Sequence, residues 1–151
     1  MSLVIRAATL QDVDQAVPLF DAYRQFYGRP SDLQACHRFL SARLAAGESH
    51  VLLAGPEQGG PAVGFAQLYP SFSSVRCRPT LVLNDLYVAA SARGLGLGRQ
   101  LLDAARALAR RTGAATISLQ TAADNRQAQG LYERYGFVRD DHFLTYQLEL
   151  P

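Results

Sequence analysis

Apolar positions along the chain change their spacing several times, and each change marks an element. Leu3 to Arg6 is a short strand. Val13, Ala16, Val17, Phe20 and Tyr23 then recur at helical spacing between Leu10 and Phe26, with Thr9 or Asp12 placed to cap the first turn. Gly28 and Pro30 end that helix, and Leu33, Cys36, Leu40 and Leu44 form one side of a second over Ser31 to Ala46. From His50 the pattern shortens to strands at His50–Ala54 and Ala62–Tyr69, joined by a turn at Glu57 to Gly60. Gly64 inside the second run predicts a bulge or a close backbone neighbour. The polar, serine-rich stretch Pro70 to Arg78 predicts a loop or strand connection. Leu81 to Val88 is the clearest strand, apolar on both faces except at Asn84 and Asp85.

After Arg93 a helix runs to about Thr112, with Leu97, Leu101, Leu102, Ala105, Leu108 and Ala109 as its inward stripe and Gly113 as its stop. Thr116 to Thr121 is a strand. Asn125 to Tyr135 is a short helix that gathers Ala128, Leu131, Tyr132 and Tyr135, followed by Gly136 where a positive φ is expected. Phe137–Val138 and Phe143–Leu150 close the chain as strands. Strands alternating with helices predict one mixed α/β domain over residues 1–151, with helices packed on a sheet.

Composition narrows the function classes. A chain of 151 residues is long enough to build a core without staples, and its two cysteines, Cys36 and Cys77, are too few and too far apart for a disulfide scaffold or a metal cluster. The three histidines show no metal spacing, so no metal is expected. No secretion signal or long apolar run is visible, which predicts a soluble cytoplasmic protein without a membrane partner. Fifteen basic against thirteen acidic residues give a net charge of +2 with the basic residues scattered, unlike the concentrated face of a nucleic-acid binder. All the basic residues are arginine, so the protein cannot be acetylated on a lysine side chain of its own.

The chemistry begins in the turn between the strong strand and the strong helix, Arg93-Gly94-Leu95-Gly96-Leu97-Gly98. Glycines allow a tight turn with bare N–H groups, and the helix start adds unpaired amides and the positive end of the macrodipole. A phosphate or pyrophosphate suits that place, with Arg93 and Arg99 able to add charge-assisted contacts. The glycine spacing and the late position do not fit a dinucleotide fingerprint, and without lysine a Walker loop is excluded.

This turn resembles the Q/R-x-x-G-x-G/A pyrophosphate loop of the GNAT (GCN5-related N-acetyltransferase) superfamily. The resemblance continues in Asn84-Asp85-Leu86-Tyr87-Val88 before the loop, in Ile5-Arg6-Ala7-Ala8 with Asp12 at the start, and in the late segment Asn125, Ala128, Leu131, Tyr132, Gly136 and Phe137. That segment is one residue longer between asparagine and tyrosine than the commonest form. Within the superfamily the strand is most similar to the histone-acetyltransferase-like and small-amine group. The resemblance implies a single mixed, mostly antiparallel sheet whose parallel central strands splay into a V, flanked by helices. It also implies acetyl-coenzyme A as cofactor. Backbone groups of Leu86, Tyr87 and Val88 would pair with the pantetheine arm, amides of Leu95 to Arg99 would take the pyrophosphate, and Asn125 and Tyr132 would lie along the arm and at the thioester sulfur.

Acetyl transfer to an amine by direct attack needs a held carbonyl oxygen, a proton acceptor and a proton donor. The N–H of Val88 is the candidate for the first and Tyr132 the candidate general acid. Tyr132 also reads as a packing residue beside Leu131 and Tyr135. Asp85 is placed to bind an ammonium or accept its proton, or else to satisfy neighbouring backbone or an arginine. Strand alternation puts Asn84 on the opposite face. The resemblance implies that Tyr23, Phe26, Tyr27, Tyr69 and Phe72 line the acceptor side, an aromatic wall suited to a small amine or a peptide end; exposed aromatics equally suit dimer contacts. The expected reaction is acetylation of a small, polyamine-like primary amine. A protein or peptide acetyltransferase and a non-catalytic acyl-coenzyme A sensor are the competing accounts. Leu144, Tyr146, Leu148 and Leu150 alternate in the final segment, which suits pairing across a two-fold axis, so a homodimer is expected.

Overall fold

The computed structural model describes residues 2–151, which group into two compact units, one ending at Gln120 and one beginning at Thr121. The first unit holds a five-stranded sheet in the order β1 (Leu3–Ala7), β2 (His50–Pro56), β3 (Gly64–Ser73), β4 (Arg78–Val88) and β5 (Ile117–Ser118). The first three pairings are antiparallel and β4–β5 is parallel, so the expected mixed, mostly antiparallel sheet is present. Its helices are α1 (Val13–Phe26), α2 (Leu33–Ala45) and α3 (Leu97–Thr112).

The start of α1 is set by a short 3-10 turn over Leu10–Asp12, where the Thr9 N–H donates to Asp12 Oδ2 at 2.8 Å and Arg6 pairs with Asp12 at 3.0 Å. These contacts hold the Asp12 carboxyl below its ordinary value, the backbone bond from Thr9 contributing most. Asp32 caps α2 by accepting the Ala35 N–H at 3.0 Å. The two helices are tied at their connection by Asp21, buried, which accepts from Ser31 Oγ at 2.7 Å and from the Asp32 N–H at 2.8 Å. Val13, Ala16, Val17, Phe20, Cys36 and Leu40 then pack as one core with Val51, Leu53 and Phe65 of the sheet. The predicted stripe of α3 is buried at all six positions, Leu97, Leu101, Leu102, Ala105, Leu108 and Ala109. Burying leucines of this kind contributes about 2 kcal/mol each.

The structure decides two open alternatives and corrects one boundary. The serine-rich stretch is a strand connection and a short one: β3 continues to Ser73 and β4 begins at Arg78, leaving a tight hairpin at residues 74–77. Strand pairing satisfies backbone groups whatever the side chains, so polar residues on an exposed ribbon do not prevent it. Gly64 marks a close approach rather than a bulge; a Cβ there would meet Ala54 Cβ at 3.4 Å and Leu101 Cδ1 at 3.5 Å. The helix expected from Arg93 begins only at Leu97, because Gly94 and Gly96 take φ of 80° and 76°.

The parallel pairing of β4 with β5 is short, with Leu81 opposite Ile117 and Val82 opposite Ser118. Among the described residues the β4–β5 ladder ends at Val82 and Ser118, and the rest of β4 toward Val88 has no partner on that side within this unit. The second unit, taken by itself, holds α4 (Arg126–Tyr135). Residues 137–150 form no strand within that unit, since a strand exists only by pairing and the unit offers no ladder of its own.

Candidate active site

Register decides the polar centre of β4. Gln67 stands opposite Asp85 and Leu68 opposite Leu83, so Asn84 has no cross-strand partner and forms a β-bulge. The expectation that Asn84 and Asp85 point to opposite faces fails at this bulge. Instead Asn84 Nδ2 donates to Asp85 Oδ1 at 2.8 Å. Gln67 Nε2 donates to Asp85 Oδ2, and Ser49 Oγ donates to Gln67 Oε1 at 2.8 Å. Ser49, Gln67 and Asp85 are all buried, Asp85 at 2% exposure. A three-residue chain therefore fixes one carboxyl inside the sheet. Burial pushes the Asp85 carboxyl above its ordinary value, outweighing the donors from Gln67, Asn84 and Tyr23 that favour the charged form.

The aromatic groups of α1 stand beside it. The Tyr23 hydroxyl donates to the Asn84 carbonyl at 2.9 Å, and the Tyr23–Tyr27 and Phe26–Tyr27 rings lie 5.0 and 5.2 Å apart. Burial, then the Asp85 charge, pushes the Tyr23 hydroxyl up. Tyr69 is pushed up to about 12, by burial first and the Asp85 charge second. Both phenols therefore stay neutral donors. Phe72 is not gathered with this group; it sits opposite Pro79 near the β3–β4 hairpin and is 81% exposed.

The open edge of β4 has its own geometry. Val88 lies opposite Gly64, and the next bond along the ladder is from the Ala89 N–H to the Val63 carbonyl at 2.8 Å. Bonding alternates along an antiparallel pair, so Leu86 and Val88 turn their N–H and C=O groups away from β3 toward the open edge, while Tyr87 bonds β3. Arg93 Nε donates to the Val88 carbonyl at 3.1 Å, and its guanidinium lies over the Tyr87 ring at 5.8 Å. Arg93 thus braces the glycine turn against the strand, and the Val88 N–H remains on the open edge. Gly96 is the N-cap of α3, and the first bond into the helix runs from the Gln100 N–H to the Gly96 carbonyl at 3.1 Å. The amides of Leu97 and Gly98 therefore have no acceptor within the helix, and they sit at its positive end. Leu95, in the turn, is exposed. Two glycines of positive φ and aligned amides fit a pyrophosphate, and the N–H groups that Leu86 and Val88 turn to the open edge fit an amide-bearing arm, as acetyl-coenzyme A requires.

In the second unit the late motif explains its own helix. Asn125 Oδ1 accepts the Ala128 N–H at 3.1 Å as the N-cap, and Gly136, φ 118°, is the C-cap. The Tyr132 carbonyl accepts from the Gly136 and Phe137 N–H groups at 3.1 and 2.9 Å, and the Tyr132 and Phe137 rings meet edge to face at 5.7 Å. Asn125, Gly136 and Phe137 thereby fix the turn that carries Tyr132.

Sequence reading missed Gln67 and Ser49. Gln67 carried a signal, as the one polar side chain in the run Gly64 to Leu68, whereas Ser49 matters only through its three-dimensional neighbours.

Comparison with known proteins identifies the family. The model of the acetyltransferase (GNAT) family matches residues 16–137. An uncharacterized N-acetyltransferase of Bacillus subtilis, YhfO, is 46% identical over 97% of this chain and 97% of its own. The D-amino-acid N-acetyltransferase HPA3 of Saccharomyces cerevisiae is 32% identical over 58% of this chain and 55% of its own. A crystal structure of a probable acetyltransferase superposes with a TM-score of 0.91 at 40% identity, covering 100% of this chain and 99% of that one.

Proposed function

Because the chain belongs to the GNAT acetyltransferase family and is an acetyl-coenzyme A-dependent N-acetyltransferase, we propose that it acetylates a small primary amine with Asp85 as proton acceptor. The observation that carries this reading is the Asp85 carboxyl, buried, held by Gln67 and Asn84 and raised above its ordinary value, on the strand whose open edge offers the Val88 N–H. A carboxyl tuned upward is a better proton acceptor near neutral pH than an ordinary aspartate.

The donor supplies its acetyl group as a thioester. The acceptor nitrogen bonds to the acetyl carbon as the carbon–sulfur bond breaks, one proton leaves nitrogen and one is delivered to sulfur. In this reading Asp85 accepts the nitrogen's proton, directly or through water, and the Val88 N–H holds the carbonyl oxygen. Tyr132, a phenol with a reference pKa near 10, is the donor to sulfur. Backbone of Leu86 and Val88 and the Asn125 side chain hold the arm, with Tyr87, expected there from the sequence, bonded instead to β3, while amides of Leu95 to Arg99 take the pyrophosphate beside Arg93. Tyr23, Phe26, Tyr27 and Tyr69 bound the acceptor.

The test is coenzyme release at saturating acetyl-coenzyme A with small amines, polyamines, amino acids and peptides. Small acceptors should support release, and Asp85→Asn should lower their turnover about 100-fold or more. Release with peptides alone would overturn the small-acceptor reading, and unchanged kinetics in Asp85→Asn would remove Asp85 from the chemistry.

A further inference from the structure

Tyr69, one of the residues bounding the acceptor, also borders a groove that the reaction as described leaves unused. The groove is open to solvent, offers about 690 Å³ of space, and is lined by Phe39 and Arg43 of α2, Gly47 and Glu48 of the α2–β2 turn, and Tyr69 and Pro70 of β3. We propose that this groove is the second subsite of the acceptor and that Arg43 binds a carboxylate there, so that the acceptor is an amino acid with an apolar body rather than a polyamine. The proposal rests on the reading that the amine goes to Asp85.

Continuity with Asp85 comes from two sides. Gly47 and Glu48 lead directly into Ser49, whose hydroxyl bonds Gln67, which bonds Asp85. Tyr69 follows Gln67 by two residues on β3, and its hydroxyl lies under the influence of both the Asp85 and the Arg43 charges, which act on it in opposite directions. A carboxylate and a guanidinium thus both act on one phenol. An amino acid carries the complementary pair of charges, ammonium toward Asp85 and carboxylate toward Arg43.

Arg43 is prepared for this use. Its Nε donates to Glu48 Oε1 at 2.9 Å and its guanidinium lies over the Phe39 ring at 5.1 Å. Two contacts on the Nε side and the flat face fix the plane while leaving the paired terminal nitrogens, the edge that takes a carboxylate in a fork. Glu48 is the more exposed member of the pair, 56% against 35% for Arg43. A carboxylate finds the guanidinium's terminal nitrogens there, whereas a polyamine's second ammonium finds only Glu48, whose carboxylate Arg43 already holds. Phe39, Tyr69 and Pro70 supply apolar wall for the side chain.

The experiment compares matched acceptors at saturating acetyl-coenzyme A: aliphatic and aromatic amino acids of both configurations, each beside its decarboxylated amine, with polyamines alongside. Wild-type protein should favour the amino acid by roughly 10- to 100-fold in kcat/KM, the range expected for a charged group that finds or lacks its partner. Arg43→Met should bring that ratio close to one, chiefly through KM, and Arg43→Lys should restore part of it. Because each ratio is taken within one preparation, loss of folded enzyme cancels. Equal or better turnover of the decarboxylated amines or polyamines, no turnover of any amino acid, or a ratio unmoved by Arg43→Met would each overturn the proposal. Asp85→Asn separates the two readings. If it slows both members of every pair while the ratio is one, the carboxylate subsite fails and the proton acceptor stands. If it slows neither while Arg43→Met still moves the ratio, the reverse holds.

Discussion

At the scale of single residues, Asp85 was legible in the sequence because a carboxylate interrupts an apolar strand. Its partners were not. Gln67 and Ser49 lie 18 residues apart in the chain and become one unit only through the β2–β3–β4 register, which the pattern of side chains does not encode. The bulge at Asn84 was hidden for the same reason: one skipped pairing brings two neighbours together that simple alternation separates. Burial raises the Asp85 carboxyl above its ordinary 3.8, so the folded protein binds this proton more readily than the unfolded chain. The contribution to stability is then fully present below the unfolded value and falls as pH rises through the folded one. Asp85→Asn removes that dependence. The Gln67 amide can turn over to serve the new side chain, since the Ser49 hydroxyl both donates and accepts. The variant's melting temperature should therefore gain on wild type between pH 4 and pH 8, by about 2–4 °C for each kcal/mol released. A difference that stays constant across that range would show that Asp85 ionises as easily folded as unfolded.

Elements were read most reliably where periodicity and punctuation agreed. The α3 stripe was identified at all six buried positions, and Gly113 and Gly136 end their helices with φ of 73° and 118°. The β3–β4 hairpin was not legible, because its serines signal a turn while the backbone ladder carries on beneath them. The glycine turn before α3 shows what each glycine is for. A Cβ at Gly96 would meet nothing within 4 Å, so the constraint there is the backbone, φ 76°, and not the room available. Gly96→Val places a β-branched residue in a conformation that L-residues avoid by about 1–2 kcal/mol or more. The turn should open and misalign the amides of Leu97 and Gly98 while the buried face of α3 stays packed. Coenzyme A affinity measured by calorimetry should fall roughly 10-fold or more, with little change in helical content. Normal affinity in a folded variant would show that the pyrophosphate does not depend on this turn.

At the scale of the molecule, the architecture was foreseen through the family resemblance more than through the period of the pattern. Alternating elements indicated only a mixed α/β fold, and the parting of β4 from β5 after Val82 depends on where a two-residue strand stops. The reaction proposed above gives the Tyr132 hydroxyl the role of proton donor to sulfur. Tyr132→Phe tests it cleanly. The ring that packs against Phe137 at 5.7 Å is kept, and the carbonyl that accepts the Gly136 and Phe137 N–H groups is untouched, so α4 and its C-cap should persist. Only the hydroxyl is deleted. If that hydroxyl protonates the departing sulfur, coenzyme affinity should change little while turnover under saturation drops about 10- to 1000-fold, toward the lower end where water substitutes as donor. The loss should shrink when the leaving thiol is made more acidic, because a better leaving group needs less proton donation in the transition state. Affinity falling together with turnover would point to a binding role for the hydroxyl, and full turnover would make Tyr132 a packing residue with sulfur protonated by solvent. Combined with Asp85→Asn, the effects should be less than additive if both residues serve one chemical step.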